Sequence, residues 1–548
     1  MMVSKARFDM TQSCDVAVLG SGAAGLTAAF AAASEGAQVS VFEKHSRIGG
    51  TTAWSGGWIW VPNNSYMAAL GASDSTEEAV TYLMNQSRGM VDEHLIRTFV
   101  QNAPRMVDYL AERADFAFYA VVGLPDYHPH HPGGKPQGGR SMGLDLFPFD
   151  RLGEWADRVE VSPYYAPYLR GDELGIGKAV PQPPSPEEIA RRQERDERGG
   201  GVGLVGALLE ACLKAGVTFE TNASATELLS DGTGVTGVVI DSGDGRTEVH
   251  AKHGVILATG GFDWNEEYRR TFLRGPVHKP ASIPTNTGDG LRMAMKMGAA
   301  LQNMREAWWI PVTDLPEGIN SMNLDMINAD RTRPRSIMIN GKGKRYTNEA
   351  ADYNTIGGAF YQEDVNTFDY ANLPTWIIID DTNLKRYGSR GTPYDGTTPP
   401  WLVEAPTIRD LAERLGIPAD ALEHTVARWN AQVAAGIDDD FHRGESAHDR
   451  WWGDPYRKGE LDGTLGPIEN PPFYAMELKP GVIGTKGGPK VDDRARVIDL
   501  DGNVIDNLYA VGNASSPTGT GYGGVGGTLG PAMTWGWLAG VHAADKGD

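Results

Sequence analysis

Apolar runs punctuated by glycine-rich turns dominate both ends of the chain, and the first of them, Asp15–Leu19 (DVAVL), has the length and composition of a buried strand. Gly20-Ser21-Gly22-Ala23-Ala24-Gly25 follows, then an alanine-rich segment predicted as a helix over Leu26–Ser34 and a second strand over Gln38–Phe42 ending at Glu43. The pattern is that of a β-turn-α-β unit. Trp54–Asn64 is rich in glycine and tryptophan, and helical spacing resumes over Thr76–Ala114. Prolines and tyrosines cluster over Pro163–Pro186 (SPYYAPYL, VPQPPSP), which reads as irregular surface chain or an ordered lid, and the charged stretch Glu187–Arg198 reads as a solvated helix.

Beyond Gly199–Gly203 the segment LVGALLEACLKAG predicts a helix. Alternation around Val217–Leu229 and Gly234–Ile240 predicts a small antiparallel sheet, and Gly254–Gly261 (GVILATGG) another buried strand. From Pro280 to Lys479 proline, asparagine, arginine and tryptophan become frequent, Asn340-Gly341 signals a hairpin, and a helical pair fits Ile408–Ala434. Short strands and glycine loops return from Gly481 to Asp548. The expected fold class is α/β: a Rossmann-like nucleotide-binding domain over 1–279, an inserted α+β capping domain over 280–479, and completion of the first domain by 480–548.

Size agrees with that division, because a chain of 548 residues exceeds what one core of about 250–300 residues holds. The 41% hydrophobic and 22% charged content is that of a folded globular protein. A net charge of −21 with no basic run speaks against a nucleic-acid partner. The two cysteines, Cys14 and Cys212, have no spacing suited to a disulfide framework or a zinc site, and the three histidines His128, His130 and His131 are broken up by prolines, so no metal is expected. The opening residues MMVSKARFDMTQSC lack the apolar core of a secretory signal, and a cytoplasmic location is expected. Two charge-poor stretches, Val16–Ser34 and Asn507–Ala544, are too glycine-rich and turn-broken to read as membrane spans. They read as walls around a cofactor, and no integral membrane association is expected.

Because Gly20–Gly25 sits between a strand and a helix, its N–H groups and the helix dipole would face a pyrophosphate, and Gly22 would let the backbone approach it. Glu43, 23 positions after Gly20 at the end of the next strand, is placed to accept ribose hydroxyls. FAD rather than a nicotinamide is indicated by further glycine-lined pieces scattered along the chain. The expected cofactor positions are Gly20, Gly22, Ala24, Gly25, Glu43, Lys44, Gly50, Thr51, Thr52, Ser55, Gly56 and Gly57 in the first part, Ala258, Thr259, Gly260 and Asp289 in the middle, and Gly512, Asn513, Gly527, Thr528 and Leu529 near the end. The last of these precede a helix whose N-terminus would stabilise negative charge on a flavin.

Across nearly its whole length, through GSGAAGLTAA, GGTTAWSGGWIWVPNN, LPDYHP, ATGGFDWN, AWWIP, RYTNEAADY, ARWNAQVAAGIDDDFHRGES, GTKGGPKVD and LYAVGNASSPTGTGYGGVGGTLGPAM, the chain resembles the flavoproteins that include fumarate reductase, and within them the 3-ketosteroid Δ1-dehydrogenases. The resemblance implies removal of hydrogen from C1 and C2 of a 3-ketosteroid A ring, with a proton going to a tyrosine and a hydride to flavin N5. It assigns the base to Tyr353, after the Asn348-Glu349 pair, its supporting tyrosine to Tyr127 in the PDY motif, and the ketone-binding pair to Tyr522 and Gly526. The resemblance also implies an external electron acceptor, of unknown identity. No histidine lies between Gly49 and Gly57, where covalently flavinylated relatives carry theirs, so a non-covalent FAD is expected.

The chemistry is consistent with those residue types. A C2 proton leaves only if the neighbouring carbonyl is polarised, which Tyr522 O–H and Gly526 N–H would do. A phenol of ordinary pKa near 10 is a weak base at neutral pH, so Tyr353 needs help, and Tyr127 would supply it. Lys486 stands in GTKGG where fumarate reductases carry a substrate-binding histidine, which counts against a dicarboxylate. The basic cluster Arg331, Arg333 and Arg335 reads more readily as a solvated face than as a carboxylate site. Two alternatives stay open at this level: a fumarate-reductase-like ene reductase acting on another activated alkene or cyclic ketone, and a flavin-binding electron carrier with no organic substrate.

Overall fold

In a computed structural model, residues 10–173, 183–316, 324–326, 330–390, 392–519 and 521–545 are described. Strand Met10–Leu19 lies at the centre of a sheet in the order Arg496–Ile498, Val504–Ala510, Gly245–Leu257, Met10–Leu19, Val39–Glu43, Thr218–Thr221. All but the first of these run parallel. Val16–Leu19 are buried on both faces, which is why the segment reads as an unbroken apolar run rather than an alternating one.

Helix Ala23–Ser34 and the C-terminal helix Leu529–Ala544 cover the same sheet face. They approach closely because glycine stands at the crossing: a Cβ at Gly536 would lie 2.3 Å from the Ala24 carbonyl oxygen, and one at Gly540 equally close to that of Ala28. Helix Leu529–Ala544 is therefore packed into the first unit of the chain, and strand Val504–Ala510 pairs with Gly245–Leu257.

A second sheet centres on the long strand Phe473–Thr485, which pairs with Ala307–Asp314, Thr375–Asp380, Lys279–Pro280 and Val403–Ala405, while Ser336–Asn340 pairs with Thr375–Asp380. Helices Ile408–Leu415 and Ala419–Ala435 form the expected pair, and pack Leu411, Leu422, Val426 and Trp429 against one face of this sheet. The other face, with Trp309, Met338, Ile377 and Tyr474, packs on helix Tyr353–Ala359.

Four local expectations change. The Asn340 turn closes on itself, Asn340 N donating to the Lys344 carbonyl at 3.0 Å, but the partner strand does not follow directly and is Thr375–Asp380; the residues just after the turn carry an ionic cluster instead of an alternating apolar pattern. The helical stretch over 76–114 is two helices, Thr76–Ser87 and Glu93–Ala114, divided where Arg88 takes a positive φ and Asp92 caps the second. Of the small antiparallel sheet, Ser224–Ser230 and Val235–Ser242 do pair, but Thr218–Thr221 joins the main sheet beside Val39–Glu43. The solvated helix is Pro186–Glu194, and it buries Arg192 in a 2.7 Å ion pair with Glu173. Residues 174–182 of the proline- and tyrosine-rich stretch lie outside the described residues, whereas Tyr164 and Tyr165 line the main cavity. Among the described residues no helix is long and apolar enough to cross a membrane.

Candidate active site

One cavity, with about 1930 Å³ of space including its mouth, runs between the two sheets. All the expected cofactor and catalytic residues line it except Gly25 and Gly527. Those two act one layer back. A Cβ at Gly25 would sit 2.1 Å from the Gly20 carbonyl oxygen, so Gly25 lets the helix start against the strand. At Gly527 it would sit 2.7 Å from the Tyr522 ring.

At the nucleotide end, Glu43 is buried and accepts from Ser21 N at 2.9 Å and Ser21 Oγ at 2.6 Å, which fixes the carboxylate beside the glycine loop. Lys44 Nζ reaches Asp289 at 2.9 Å and Thr287 at 2.6 Å, tying the second strand to helix Asp289–Lys296 at the cavity edge. Thr52 Oγ1 accepts from Ala23 N at 3.0 Å, and Thr51 Oγ1 from Asn286 at 3.1 Å. Ser55 Oγ donates to the Thr52 carbonyl at 2.7 Å and accepts from Gly57 N at 3.1 Å.

The residues fit a dinucleotide. A Cβ at Gly22 would meet nothing nearer than 3.5 Å and one at Gly50 nothing within 4 Å, so the backbone there borders open space. The Thr259 hydroxyl, buried in the same wall, has no hydrogen-bond partner among the described residues. Two helix N-termini, those of Ala23–Ser34 and Leu529–Ala544, open onto the cavity and favour negative charge in it.

At the other end three tyrosines converge. Ring centroids of Tyr127 and Tyr353 are 5.7 Å apart, of Tyr127 and Tyr522 5.0 Å, and of Tyr353 and Tyr522 5.6 Å, all edge-on. The Tyr353 and Tyr522 hydroxyls are hydrogen-bonded to each other, and Thr528 Oγ1 donates to Tyr522 Oη at 3.3 Å. Burial pushes the Tyr127 and Tyr353 phenols well above their usual pKa of 10, reinforced by the neighbouring tyrosines, and raises Tyr522 too.

Each tyrosine is positioned by a different element. Tyr353 is the first residue of helix Tyr353–Ala359, and the Asp352 side chain caps that helix by accepting from Asn354 N and Thr355 N at 3.0 Å. Tyr127 N donates to the Gly523 carbonyl at 3.0 Å, as Tyr82 Oη does at 2.6 Å, and Tyr522 N donates to Gln86 Oε1 at 2.8 Å. Gly526 has φ +92°, and a Cβ there would lie 2.4 Å from the Ile59 carbonyl carbon, so only glycine fits. Its carbonyl accepts from Trp60 N at 3.0 Å.

Much of the support was not foreseen. Glu349 is fully buried and held by Arg345 at 2.8 Å and Arg443 at 3.2 Å, with Arg345 also bridging to Asp438 at 2.8 Å. Arg345 Cζ and Arg443 Cζ lie over the Trp429 ring at 4.4 and 5.4 Å. This cluster fixes the turn that leads to Tyr353, and three of its members, Trp429, Asp438 and Arg443, fall in the motif ARWNAQVAAGIDDDFHRGES. Behind Tyr127, Asp126 is held by Arg140 at 2.8 Å and by Trp60 Nε1 at 2.9 Å. Lys486 is buried with its Nζ 4.0 Å from the Trp308 ring centroid and 5.9 Å from that of Tyr522, and burial brings its pKa down to about 7.

The basic cluster is not a solvated face. Arg331 is 2% exposed and lines the cavity, Arg335 pairs with buried Asp380 at 2.8 Å, and Arg333 Cζ lies over the Tyr387 ring at 5.0 Å. Strand Ser336–Asn340 draws these residues inward, a tertiary effect that charge spacing does not encode. His128 and His131 stack, His130 packs edge-on against both, and His128 Nε2 lies 3.4 Å from Asp352.

A family model described as an FAD binding domain matches residues 15–529. The chain belongs to this flavoprotein family. Its cofactor is FAD, and it is an FAD-dependent oxidoreductase. A 4-oxocyclohexanecarboxylate 2-dehydrogenase of Sinomonas cyclohexanicum is 38% identical to the flavoprotein, over 97% of this chain and 93% of that one. A 3-oxosteroid 1-dehydrogenase of Mycobacterium tuberculosis (strain ATCC 25618 / H37Rv) is 37% identical, over 98% and 99%. The crystal structure of 3-ketosteroid Δ1-dehydrogenase from Sterolibacterium denitrificans, in complex with 1,4-androstadiene-3,17-dione, superposes with a TM-score of 0.89 at 33% identity, covering 98% of this chain and all of that one.

Proposed function

We propose that the flavoprotein introduces a C1–C2 double bond into the A ring of 3-ketosteroids. The observation that carries this reading is the meeting of Tyr127, Tyr353, Tyr522 and Gly526 in the same cavity as the FAD-binding loops. Tyr522 O–H and Gly526 N–H hydrogen-bond the C3 carbonyl oxygen and take up the charge that develops there as the C2–H bond breaks. Tyr353 accepts that proton, and Tyr127, packed edge-on against it, stabilises the phenolate and relays the proton onward. When bound, FAD supplies the acceptor for the hydride from C1. Trp54, Ile283, Ile310, Ile483 and Val525 give the cavity the apolar surface that excludes water and receives a fused-ring skeleton. Electrons then pass to an external acceptor.

The same four groups serve any ring ketone with hydrogens on adjacent α and β carbons. The relative named for a one-ring keto acid, and the Arg331 guanidinium in the cavity wall, favour a second reading in which that ring bears a carboxylate. Incubation with saturated and 4-ene 3-ketosteroids and with 4-oxocyclohexanecarboxylate, each with an artificial electron acceptor, separates the two. Products two mass units lighter, with new vinyl protons at C1 and C2 of the steroids, support the first reading. Turnover of the keto acid alone supports the second, and reduction of fumarate with neither ketone oxidised supports an ene reductase.

A further inference from the structure

Arg331 is a buried cation to which the proposed steroid reaction gives no task. Its Nη1 donates to the carbonyl of Glu349 and, at 2.5 Å, to that of Ala351, both on the turn that delivers Tyr353. Its Nε is buried with no hydrogen-bond partner among the described residues, and the side chain forms part of the cavity wall. Burial lowers its pKa only to about 10, so it is charged at neutral pH. Arg331 and Tyr127 line the same cavity.

The need for such a charge follows from the burial of the base. A phenol in an apolar wall holds its proton because a phenolate there has lost its water, and two neighbouring phenols do not replace a full solvation shell. A fixed positive charge in the same low-dielectric wall offsets that loss. The surroundings include opposing groups: Asp352 caps the Tyr353 helix, Asp449 accepts from Asn348, and Arg443 sits beyond Glu349. His448 packs against Tyr127 at 5.4 Å between centroids, His128 lies against Asp352, Tyr522 faces Tyr353, and the buried Lys486 Nζ lies 5.9 Å from the Tyr522 ring centroid, outside the cavity wall. Among them Arg331 is the cation that both lines the cavity and holds the turn bearing the base.

Building on the proposed reaction, we propose that Arg331 is a positioning residue for the base: its guanidinium fixes the Glu349–Tyr353 turn and supplies the positive charge against which the Tyr353–Tyr127 pair gives up a proton. The step it serves is balanced within the substrate and protein. The C2–H bond breaks, the Tyr353 O–H bond forms, and the electron pair moves into the enolate at the C3 oxygen.

This half of the reaction is isolated in holoenzyme reduced anaerobically with dithionite, in which hydride transfer is blocked. A saturated 3-ketosteroid in deuterated buffer then reports enolisation as loss of the C2 proton signals, measured against pH. In wild type the exchange rises along a limb set by the base. In Arg331→Met the limb moves up by about one pH unit or more, so that exchange at neutral pH falls ~10-fold. Arg331→Lys keeps the limb near the wild-type position while lowering the plateau, because an ammonium retains the charge but not the planar fork. Flavin absorbance and steroid affinity stay unchanged in both. Should the methionine variant fail to fold, Arg331→Gln, which keeps a donor for the two carbonyls, makes the same test. A lowered rate with an unmoved limb shows a merely structural residue and overturns the proposal. Unaltered exchange of the steroid, with weakened binding of 4-oxocyclohexanecarboxylate, shows a substrate anchor and overturns it too. Absence of exchange in wild type instead removes the proposed reaction itself.

Discussion

The hydroxyls of Tyr353 and Tyr522 share a hydrogen bond although 169 residues separate them in the chain. One starts a short helix that packs on the second sheet, and the other lies in the glycine-rich segment that leads back onto the first. The proposed base and the proposed carbonyl donor are thus supplied by different layers of the molecule, and the cavity lies where the layers meet.

Removal of the carbonyl donor in Tyr522→Phe leaves the apolar packing of the ring in place and deletes, besides the hydroxyl's bonds to Tyr353 and Thr528, an interaction that strengthens as the enolate forms. The rate of flavin reduction by a 3-ketosteroid falls ~10²–10³-fold, equivalent to about 3–4 kcal/mol, with a much smaller change in steroid affinity. Single-turnover kinetics and equilibrium binding measured on the same variant separate the two effects.

Two glycines of the first loop respond differently to alanine. In Gly25→Ala the new methyl collides with the Gly20 carbonyl oxygen, so the helix shifts off the strand and the protein loses thermal stability as well as FAD. In Gly22→Ala the methyl enters space bordered at 3.5 Å by Thr52, and φ of −69° accepts alanine without strain. That variant melts like wild-type apoprotein yet binds FAD more weakly, as fluorescence titration of the apoprotein will show. Acid precipitation of the wild-type holoenzyme releases the flavin into the supernatant, as a non-covalent cofactor requires.

The Glu349 cluster is a buried network in which loss of one partner leaves another charge unpaired. Glu349→Ala destabilises the protein by about 3–5 kcal/mol in urea denaturation. Arg345 and Arg443 hold the Glu349 carboxyl below its usual range despite burial. Its folded pKa is depressed, so this contribution is complete above the ordinary carboxylate pKa near 4.5 and is lost as pH falls through the lower folded value. Acid titration of the Glu349→Gln variant should show a correspondingly shallower loss of stability.

Lys486 carries the opposite sign. Its pKa of about 7 in the folded chain lies below the ordinary 10.5, so between these values the unfolded chain binds more protons and stability rises with pH. The burial cost is fully present below pH 7. Lys486→Met removes it, and the variant is the more stable protein at pH 6 but loses its advantage by pH 10, a comparison that calorimetry at the two pH values makes directly.

What the sequence revealed and what it concealed follow from how local each signal is. The Gly20–Gly25 loop, Glu43 and the strand before them are set by short-range pattern, and the structure brings Leu19 to Ala24 and Glu43 together on one cavity wall. The proposed roles of Tyr353, Tyr522 and Gly526 come from motif resemblance alone, since nothing in periodicity marks such a tyrosine. Arg331, Arg335 and Glu349 were not legible as buried groups. Their charges promise solvent, and only pairing across 45 to 94 positions, as in Arg335–Asp380, Arg345–Asp438 and Arg443–Glu349, makes burial affordable. The Asn340-Gly341 hairpin signal failed for a related reason. A turn dipeptide specifies reversal, whereas the partner strand, Thr375–Asp380, is chosen by the sheet.

Anaerobic mixing of the oxidised holoenzyme with a 4-ene 3-ketosteroid, followed by stopped-flow absorbance, tests the central claim most directly. Wild type is predicted to lose its oxidised-flavin absorbance in a single turnover and to yield the 1,4-diene. Tyr353→Phe, with the same flavin content, is predicted to do so more slowly by ~10²-fold or more. No loss of absorbance in wild type across a steroid panel, or equal rates for the two proteins, would contradict the account.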